Sequence, residues 1–448
     1  MSSPKNKLQP GRVLQQLPPA PHYHVAFSGG VDSHVLLHLL ACQRDALPGT
    51  LAAVHVNHRI QQRSGDWEVH CRSVCEELDI PCHFLRVNGK ARRGESPEAA
   101  ARSARYRALA DWLPAASVLL TAQHRDDQAE TLLLQLLRGA GPRGLAAMPA
   151  VAGLGAGRLA RPLLDLRRAD ILDYAHRHRL CWVEDPSNTD TRYDRNLLRH
   201  RIMPELQQHW PGVSRVLARA ASHQADQLEI ADALAAQDCT GCDCAGAGLS
   251  LAGLRSLSPA RQRNLIRFQV AEQGLPLPSQ VVLERILEEM LASRADASPC
   301  VRWPGAEVRR FRERLFIMAP LPVQDTADCY RWDFRAPLVL EKAGGVLSAS
   351  PVAGKGIRLP TGSSDVQVRF RQGGEVLQPA GRGHHHSLKK LFQEWRVPAW
   401  ERERVPLVYQ GEQLVAVTGL CVCEGFQSGP DEPGLALDWS RMPEFRHH

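Results

Sequence analysis

The chain has 448 residues, of which 44% are hydrophobic and 23% are charged, and this composition excludes a collagen-like or mostly disordered protein. The length exceeds that of one compact core, so we expect two or three domains. The net charge of +7 permits a nucleic-acid partner but does not by itself indicate one.

Short apolar runs alternate with helical segments over the first third of the chain. The apolar runs predict strands at residues 22–27, 51–56, 82–87 and 117–122. The segments between and after them predict helices at residues 32–41, 64–78, 97–113 and 126–138. This alternation is typical of a parallel sheet with helices on both faces, which is an α/β fold. The Gly-rich stretch that follows, residues 139–157, predicts a loop.

Helical periodicity returns after this loop and then gives way to short extended runs. We predict helices at residues 168–180 and 194–206, and a long connecting helix at 213–236. Residues 250–320 predict a small helical module that ends in strand-like segments, and a later helix is predicted at 387–395. The predicted domains are an N-terminal domain at 1–211, a mainly helical domain at 212–321 and a C-terminal α+β domain at 330–448.

A glycine-rich hexapeptide lies between the first predicted strand and the first predicted helix. It consists of Ser28, Gly29, Gly30, Val31, Asp32 and Ser33. Its glycines permit a sharp turn that directs backbone N–H groups at an anion, and the helix N-terminus adds partial positive charge. Asp32 suits a magnesium ion that bridges phosphate oxygens. The alternative interpretation is a Gly-Gly turn that only ends a strand.

The hexapeptide is not a Walker A loop, because no Gly-Lys-Ser/Thr follows it. It resembles the SGGxDS loop, or PP-loop, of the N-type ATP pyrophosphatases. The resemblance implies a Rossmann-like parallel-sheet domain that binds ATP through residues 28–33 and transfers AMP to a substrate oxygen.

A run of acidic residues follows the fourth predicted strand, at the carboxyl edge where open α/β sheets bind ligands. In a helix, Asp126 and Glu130 are four residues apart and Asp127 and Glu130 are three apart, so each pair shares a face. Such a cluster could hold a metal ion or an amine. The alternative is that the carboxylates only stabilise the positive end of the helix dipole.

Further motifs narrow the resemblance to one family. In chain order they are His55-Val56-Asn57-His58, the helix from Glu98 to Tyr106, the acidic run from His124 to Thr131, Arg161-Pro162-Leu163-Leu164, Glu184-Asp185-Pro186-Ser187-Asn188, Arg195-Asn196 through Pro204, and Leu388-Lys389-Lys390-Leu391-Phe392 through Leu407. Together with the hexapeptide, this set resembles the tRNA(Ile)-lysidine synthase family over nearly the whole chain.

The resemblance implies an enzyme that uses ATP and L-lysine to convert the wobble cytidine of the CAU-anticodon isoleucine tRNA into lysidine, so that the tRNA reads AUA. The cytidine is adenylated first and lysine attacks next, with release of pyrophosphate and AMP. The resemblance assigns Asp127 and Glu130 to lysine binding and catalysis, and Asp32 to catalysis through a magnesium ion. Which carboxylate acts as general base, and the oligomeric state, are left open.

Two groups of basic residues are candidates for tRNA contacts. The first lies on the helix predicted at 194–206 and comprises Arg195, Arg199 and Arg201. The second lies in the C-terminal domain and comprises Arg369, Arg371, Arg382, Lys389, Lys390 and Arg396. By the resemblance, the helical module and the C-terminal domain also bind the tRNA. The alternative for each group is a solvated basic face.

The spacing of Cys239, Cys242 and Cys244 is compatible with a zinc or iron–sulfur site, although a structural role is favoured because no fourth ligand is near. These cysteines keep open a tRNA base thiolase on the same PP-loop scaffold, and a non-catalytic tRNA-binding protein is a third alternative. The twelve cysteines and the absence of an apolar signal segment predict reduced thiols in a cytoplasmic protein. No apolar run approaches 18 residues, which predicts no membrane partner.

Overall fold

The computed structural model describes residues 8–57, 64–87, 97–244, 248–294, 297–358 and 366–441, so His58 of the second motif lies outside the described residues. The chain divides into two units, Met1–Ile230 and Ala231–His448. The three predicted domain boundaries stay predictions. Among the described residues, no helix is both long enough and apolar enough to cross a bilayer.

The first unit is built on a six-stranded sheet. Its strands are β1 (His22–Ala26), β2 (Thr50–Asn57), β3 (Cys82–Arg86), β4 (Val118–Leu120), β5 (Val151–Leu154) and β6 (Gly157–Ala160). Their order is β3-β2-β1-β4-β6-β5, and all neighbours are parallel except β5 and β6. The chain proceeds outward from β1 to β3 and then returns to the other side of β1 with β4. The loops after β1 and β4 are therefore neighbours, where open sheets form a ligand crevice.

Helices cover this sheet, which confirms the predicted α/β class. They are α1 (Pro10–Gln15), α2 (Val31–Ala41), α3 (Ser64–Glu77), α4 (Pro97–Trp112), α5 (Arg125–Leu137), α6 (Pro142–Leu145), α7 (Arg168–Arg177), α8 (Asp194–Leu197) and α9 (Met203–His209). A π-helical turn, Leu198–Ile202, joins α8 to α9. The next helix, α10 (Val213–Gly241), contains the boundary between the units. Helix α2 is buried over most of its length, and Val35, Leu36 and Leu40 are fully inaccessible.

The prediction of a loop over residues 139–157 was wrong in part, because this stretch forms α6, β5 and the start of β6. Its glycines permit close backbone approach. A Cβ at Gly155 would lie 2.1 Å from the Ala110 carbonyl oxygen, and one at Gly157 would lie 2.6 Å from that of Ser117. Glycine lowers the β propensity of a segment, so the hairpin has no clear sequence signal.

The second unit begins with three helices against an antiparallel sheet. The elements are α11 (Leu251–Ser256), α12 (Pro259–Glu272), α13 (Gln280–Ala292), β7 (Leu249–Ser250), β8 (Cys300–Trp303), β9 (Ala306–Phe311) and β10 (Arg314–Met318). The sheet order is β7-β10-β9-β8. Leu265, Ile286 and Val308 share one apolar core. The module is helical and ends in strands, as predicted.

The remainder consists of antiparallel sheets and one helix, as predicted for an α+β domain. The strands are β11 (Tyr330–Trp332), β12 (Leu338–Leu340), β13 (Gly345–Ala353), β14 (Ile357–Arg358), β15 (Val366–Arg369), β16 (Val376–Leu377), β17 (His386–Ser387), β18 (Leu407–Gln410), β19 (Gln413–Val417), β20 (Cys421–Val422) and β21 (Pro433–Arg441). They form sheets in the orders β11-β15-β18-β19-β20, β12-β13-β21-β14 and β16-β17. Helix α14 (Leu388–Glu394) buries Leu388, Leu391 and Phe392.

Candidate active site

The hexapeptide loop joins β1 to the buried helix α2, and its two serines brace it internally. Ser33 Oγ donates to the Gly30 carbonyl oxygen at 3.0 Å and accepts from the Ser28 N–H at 3.2 Å. The Ser28 and Ser33 hydroxyl oxygens are 3.1 Å apart. Gly30 is the N-cap of α2, so the N–H groups of the first helical turn have no partner within the helix. The loop therefore presents backbone donors at a helix N-terminus, which is an anion-binding arrangement.

Gly29 is required by the shape of this loop. Its φ is +83°, a left-handed conformation that other residues adopt at a cost. A Cβ at this position would lie 3.2 Å from Cys71 Sγ. The Gly29 carbonyl oxygen accepts from the Val183 N–H at 3.0 Å, which ties the loop to a distant segment of the same unit.

The loop after β4 ends in His124, which connects the acidic cluster to the hexapeptide. His124 is the N-cap of α5, where its Nδ1 accepts from the Asp127 N–H while Asp127 Oδ2 accepts from the His124 N–H. Because Nδ1 is an acceptor, the neutral ring carries its proton on Nε2. This Nε2 lies 3.3 Å from Asp127 Oδ2 and 3.9 Å from Asp32 Oδ1. One buried ring thus lies between a carboxylate of the loop and a carboxylate of α5.

Asp127 and Glu130 form a buried carboxylate pair on α5, and two arginines bind it. Arg195 donates from Nη2 to Asp127 Oδ1 at 3.1 Å and from Nε to Glu130 Oε2 at 3.0 Å. Arg199 donates from Nη2 to Asp127 Oδ1 at 2.7 Å and to Glu130 Oε2 at 2.8 Å, and from Nε to Glu130 Oε1 at 2.8 Å. The predicted helix at 194–206 therefore directs these arginines into the site. Asp126, by contrast, accepts from the Arg168 backbone N–H at 2.9 Å.

The two neighbouring aspartates differ in how readily they ionise. Burial raises the pKa of Asp32, and the charge of Asp127 adds to this, although His124, Arg168 and Arg199 offset part of it. Burial also opposes ionisation of Asp127, but His124 and the two bound arginines outweigh it and lower the pKa of Asp127. Asp127 is thus held as an anion, while Asp32 retains a stronger affinity for a proton or another cation.

Asp32 has the environment of a cation ligand. Its Oδ1 atom is buried and has no hydrogen-bond partner among the residues that the structure describes. Within the same residues, no three His, Cys, Asp or Glu side chains come together as a complete metal site. This combination fits magnesium, which is usually held by one or two carboxylates together with phosphate and water oxygens.

A cleft of about 630 Å³ opens beside the carboxylate pair. Its charged lining consists of Arg125, Arg167, Arg168, Arg199, Arg215, Asp126 and Glu130. Five guanidiniums against two carboxylates leave a net positive charge, so the cleft attracts anions. Of the two arginines that bind the carboxylate pair, Arg199 belongs to this lining and Arg195 does not, among the described residues.

The remaining predicted tRNA contacts are divided between the units. Arg201 is exposed in the first unit, and Lys389, Lys390 and Arg396 are exposed in the second. The other three C-terminal arginines are engaged in ion pairs. They are Arg369 with Glu412 at 2.8 Å, Arg371 with Glu375 at 3.9 Å and Arg382 with Glu394 at 2.7 Å.

The three clustered cysteines belong to the apolar core of the second unit. Cys242 is 1% exposed, and Cys239 and Cys244 pack against the same core. All three are free thiols, and Cys239 Sγ accepts from Gln269 Nε2 at 3.2 Å. Burial raises the pKa of Cys242 and Cys244. Since metals bind the thiolate, this environment disfavours a metal site.

The role of one site residue, and the presence of another, were missed in the sequence. His124 is the first residue of the acidic run, but as a polar residue in the N-cap position it indicates only the start of a helix. Arg168 begins α7, and its positive charge acts on Asp32. No local pattern in the sequence indicates that a residue 42 positions after Asp126 returns to the acidic run.

Family models match three separate parts of the chain. A PP-loop domain model matches residues 6–206, a TilS substrate binding domain model matches 249–316 and a TilS substrate C-terminal domain model matches 366–439. The PP-loop match contains the hexapeptide, the carboxylate pair and Arg199. The two TilS matches support lysidine synthesis over the tRNA base thiolase alternative.

Solved structures show weaker likeness. A U34-tRNA thiolase NcsA from Methanococcus maripaludis is 18% identical with a TM-score of 0.41, covering 48% of this chain and 76% of that one. A TILS C-terminal domain is 23% identical with a TM-score of 0.21, covering 26% of this chain and 98% of that one.

Curated relatives match over nearly the full length. A tRNA(Ile)-lysidine synthase from Coxiella burnetii is 42% identical over 417 residues, which cover 93% of this chain and 93% of that protein. One from Methylococcus capsulatus is 43% identical, covering 95% and 97%, and one from Alkalilimnicola ehrlichii is 42% identical, covering 96% and 97%. The chain therefore belongs to the tRNA(Ile)-lysidine synthase family.

Proposed function

We propose that this protein uses ATP to attach L-lysine to C2 of the wobble cytidine of the CAU-anticodon isoleucine tRNA. The observation that carries the proposal is the position of His124, whose ring lies between Asp32 of the hexapeptide loop and Asp127 of the carboxylate pair. The loop that we assign to the polyphosphate and the carboxylates that we assign to the lysine ammonium are therefore neighbours at one sheet edge. The reaction requires this, since it joins an adenylated base to an amine.

The first step activates the base. Cytosine O2 attacks the α-phosphorus of ATP, the bond to the bridging oxygen breaks, and pyrophosphate leaves. We assign the phosphates to residues 28–33, chiefly to the N–H groups at the start of α2 and the Ser28 hydroxyl, while Ser33 braces the loop. Asp32 would hold the magnesium ion, which supplies neutralisation of the charge that develops on pyrophosphate.

The second step forms the new carbon–nitrogen bond. The ε-amine of lysine attacks C2, the C2–O2 bond breaks, and AMP leaves. Lysine arrives as an ammonium ion and must lose a proton to react, so a carboxylate that binds the ammonium also serves as proton acceptor. Asp127 and Glu130 are the residues we assign to this role, and either can be the acceptor.

The tRNA must place one unpaired base in this site. The wobble base is in a loop, so it can turn outward without breaking a duplex. Exposed Arg201, Lys389, Lys390 and Arg396 are the residues that we propose contact phosphates of the tRNA. We propose the cytoplasm as its location, because its substrates tRNA and ATP are found there.

The proposal is tested by mass analysis of the wobble nucleoside after incubation of the protein with tRNA, ATP, lysine and magnesium. We expect a mass gain of one lysyl group, which chelation of magnesium abolishes. Asp127→Asn and Glu130→Gln should retain ATP binding but lose at least about tenfold in lysidine yield, since each removes a charged hydrogen-bond acceptor. Glu205→Gln, which changes an exposed carboxylate on α9, should behave as wild type. Wild-type yield in either site variant contradicts the assignment.

A further inference from the structure

All four oxygens of the carboxylate pair already have partners inside the protein. Asp127 Oδ1 accepts from both arginines and Asp127 Oδ2 from the His124 N–H. Glu130 Oε2 also accepts from both arginines, and Glu130 Oε1 accepts from Arg199. The two residues are only 8% and 2% exposed. Each oxygen of the pair thus already accepts at least one hydrogen bond inside the protein.

Charge balance opposes the binding of a further cation. Two guanidiniums neutralise two carboxylates, so an added ammonium ion would be a buried and uncompensated charge, which is strongly unfavourable. If one guanidinium withdraws, the pair keeps one net negative charge, and one ammonium ion restores neutrality. The pair can therefore bind a lysine ammonium only in exchange for an arginine.

The geometry identifies Arg199 as the arginine that withdraws. Arg199 lines the cationic cleft, whereas Arg195 is not in the lining among the described residues. The positive charge of Arg199 also acts on Asp32, so it lies within electrostatic reach of the hexapeptide loop. Departure of Arg199 frees Glu130 Oε1 completely and leaves Arg195 on the other two oxygens. A phosphate in the cleft would give the Arg199 guanidinium another anionic partner, which it can bind through two parallel hydrogen bonds.

We propose that Arg199 couples the two substrate sites: a phosphate group bound in the cleft that Arg199 lines withdraws Arg199 from Asp127 and Glu130, and only then does lysine bind them. This inference rests on the proposed function, in which the carboxylate pair binds the lysine ammonium. The phosphate can come from the nucleotide or from the RNA backbone. Arg199 is a positioning residue in this scheme, because it acts through the carboxylates.

The test measures the dissociation constant of L-lysine for the full chain under four conditions: protein alone, with magnesium and α,β-methylene-ATP, with the CAU-anticodon tRNA, and with both. The analogue cannot transfer AMP, so binding is measured without turnover. We expect lysine to bind at least about tenfold more tightly with a phosphate ligand, and the nucleotide to gain the same factor from lysine. The nucleotide-only and tRNA-only conditions identify which phosphate acts.

Variants of the two arginines distinguish coupling between the phosphate and lysine sites from an effect on folding stability. Arg199→Gln should bind lysine without a phosphate ligand, and its enhancement should fall within about twofold, because the exchange is no longer needed. Arg195→Gln also removes one positive charge from the pair but leaves Arg199 on Glu130 Oε1, so it should keep a larger part of the enhancement than Arg199→Gln. Arg199→Lys should restore part of it. Thermal unfolding of each variant verifies that the protein is folded.

The outcomes distinguish this inference from the proposed function. Lysine affinity that is the same with and without every phosphate ligand overturns the coupling, as does full enhancement in Arg199→Gln. Lysine binding that survives both Asp127→Asn and Glu130→Gln, or no lysine binding under any condition, overturns the carboxylate assignment together with the coupling.

Discussion

His124 Nε2 lies 3.9 Å from Asp32 Oδ1, so a residue in the loop after β4 reaches the loop that follows the neighbouring strand β1. The ring is 1% exposed and also caps α5. The phosphate loop and the acidic helix are therefore linked by one side chain. A change at His124 should affect both.

His124→Asn separates the two roles of this residue. Asparagine is a good N-cap and can still accept from the Asp127 N–H, but it is too short to reach Asp32. We expect stability close to wild type and a loss of about tenfold in tRNA-dependent pyrophosphate release, equivalent to about 1.4 kcal/mol, because no ring then contacts Asp32. His124→Ala should lose about 1 kcal/mol of stability in addition. Normal pyrophosphate release by His124→Asn would remove the ring from the mechanism.

Gly29→Ala and Gly139→Ala form a matched pair for the loop. Both positions have positive φ, +83° and +69°, but a Cβ at Gly139 meets no described atom within 4 Å, whereas one at Gly29 meets Cys71 Sγ. We expect Gly139→Ala to lower the free energy of unfolding by about 1 kcal/mol and Gly29→Ala by about 1 kcal/mol more. Only Gly29→Ala should reduce pyrophosphate release, since it moves the loop donors. Urea unfolding and a pyrophosphate assay measure both effects, and equal behaviour of the pair would contradict the prediction.

The buried ring of His24 should make the folded protein less stable in mild acid. Burial lowers its pKa to about 4, and neighbouring His83 and His22 add to the effect. Above pH 6.5 the ring is neutral in both the folded and the unfolded chain. Between pH 6.5 and 4 only the unfolded chain gains this proton, so stability falls as the pH falls, by about 3 kcal/mol in total.

His24→Phe should lower the number of protons taken up on unfolding by about one, and so flatten the dependence of stability on pH. Phenylalanine cannot titrate, and it keeps the edge-to-face contact with Trp112. His34, whose pKa is also lowered to about 4, remains in the variant and contributes its own slope. Urea midpoints from pH 7.5 to 4.5 measure the difference. An unchanged slope would show that His24 is not the titrating group.

Cys242→Ala tests the structural role of the cysteine cluster. A Cβ at Gly253 would lie 2.9 Å from Cys242 Sγ, so this thiol fills a tightly packed position. We expect a loss of about 1–2 kcal/mol in stability and unchanged lysidine formation per folded molecule. Metal analysis of wild-type protein should find no stoichiometric zinc or iron. A bound metal that the variant loses would restore the thiolase alternative.

The double variant Lys389→Ala, Lys390→Ala tests the C-terminal tRNA contacts. The buried side of α14 fixes both lysines outward. If they contact phosphates, removing them weakens tRNA binding and lowers the slope of log Kd against log salt by about one to two. ATP affinity should not change. Lys355→Ala, an exposed lysine of the same unit, is the control, and equal effects of both would indicate only a general charge effect.

The sequence is sufficient for those parts of the site whose signal is local. The strand, the hexapeptide and the following helix are contiguous, and the spacing of Asp127 and Glu130 places both on one helical face. Arg195 and Arg199 illustrate the limit. Their helical spacing predicts a shared face correctly, but the target of that face depends on packing against α5, more than 60 residues away. The structure shows both arginines on buried carboxylates, and the expected contacts of this helix with tRNA phosphates stay a prediction.

Pro204 affects the helical geometry of the segment that carries Arg195 and Arg199. It provides no N–H for the carbonyl oxygen of His200, and the chain accommodates the interruption with the wider turn Leu198–Ile202 before α9 begins. One residue more per turn rotates everything after it by about 100°. Deleting one residue from this turn would leave Arg195 on the carboxylates. Met203, which is buried in the structure, would then face another side of the helix. The length of this turn, and not only its composition, therefore sets the register between the arginines and the core.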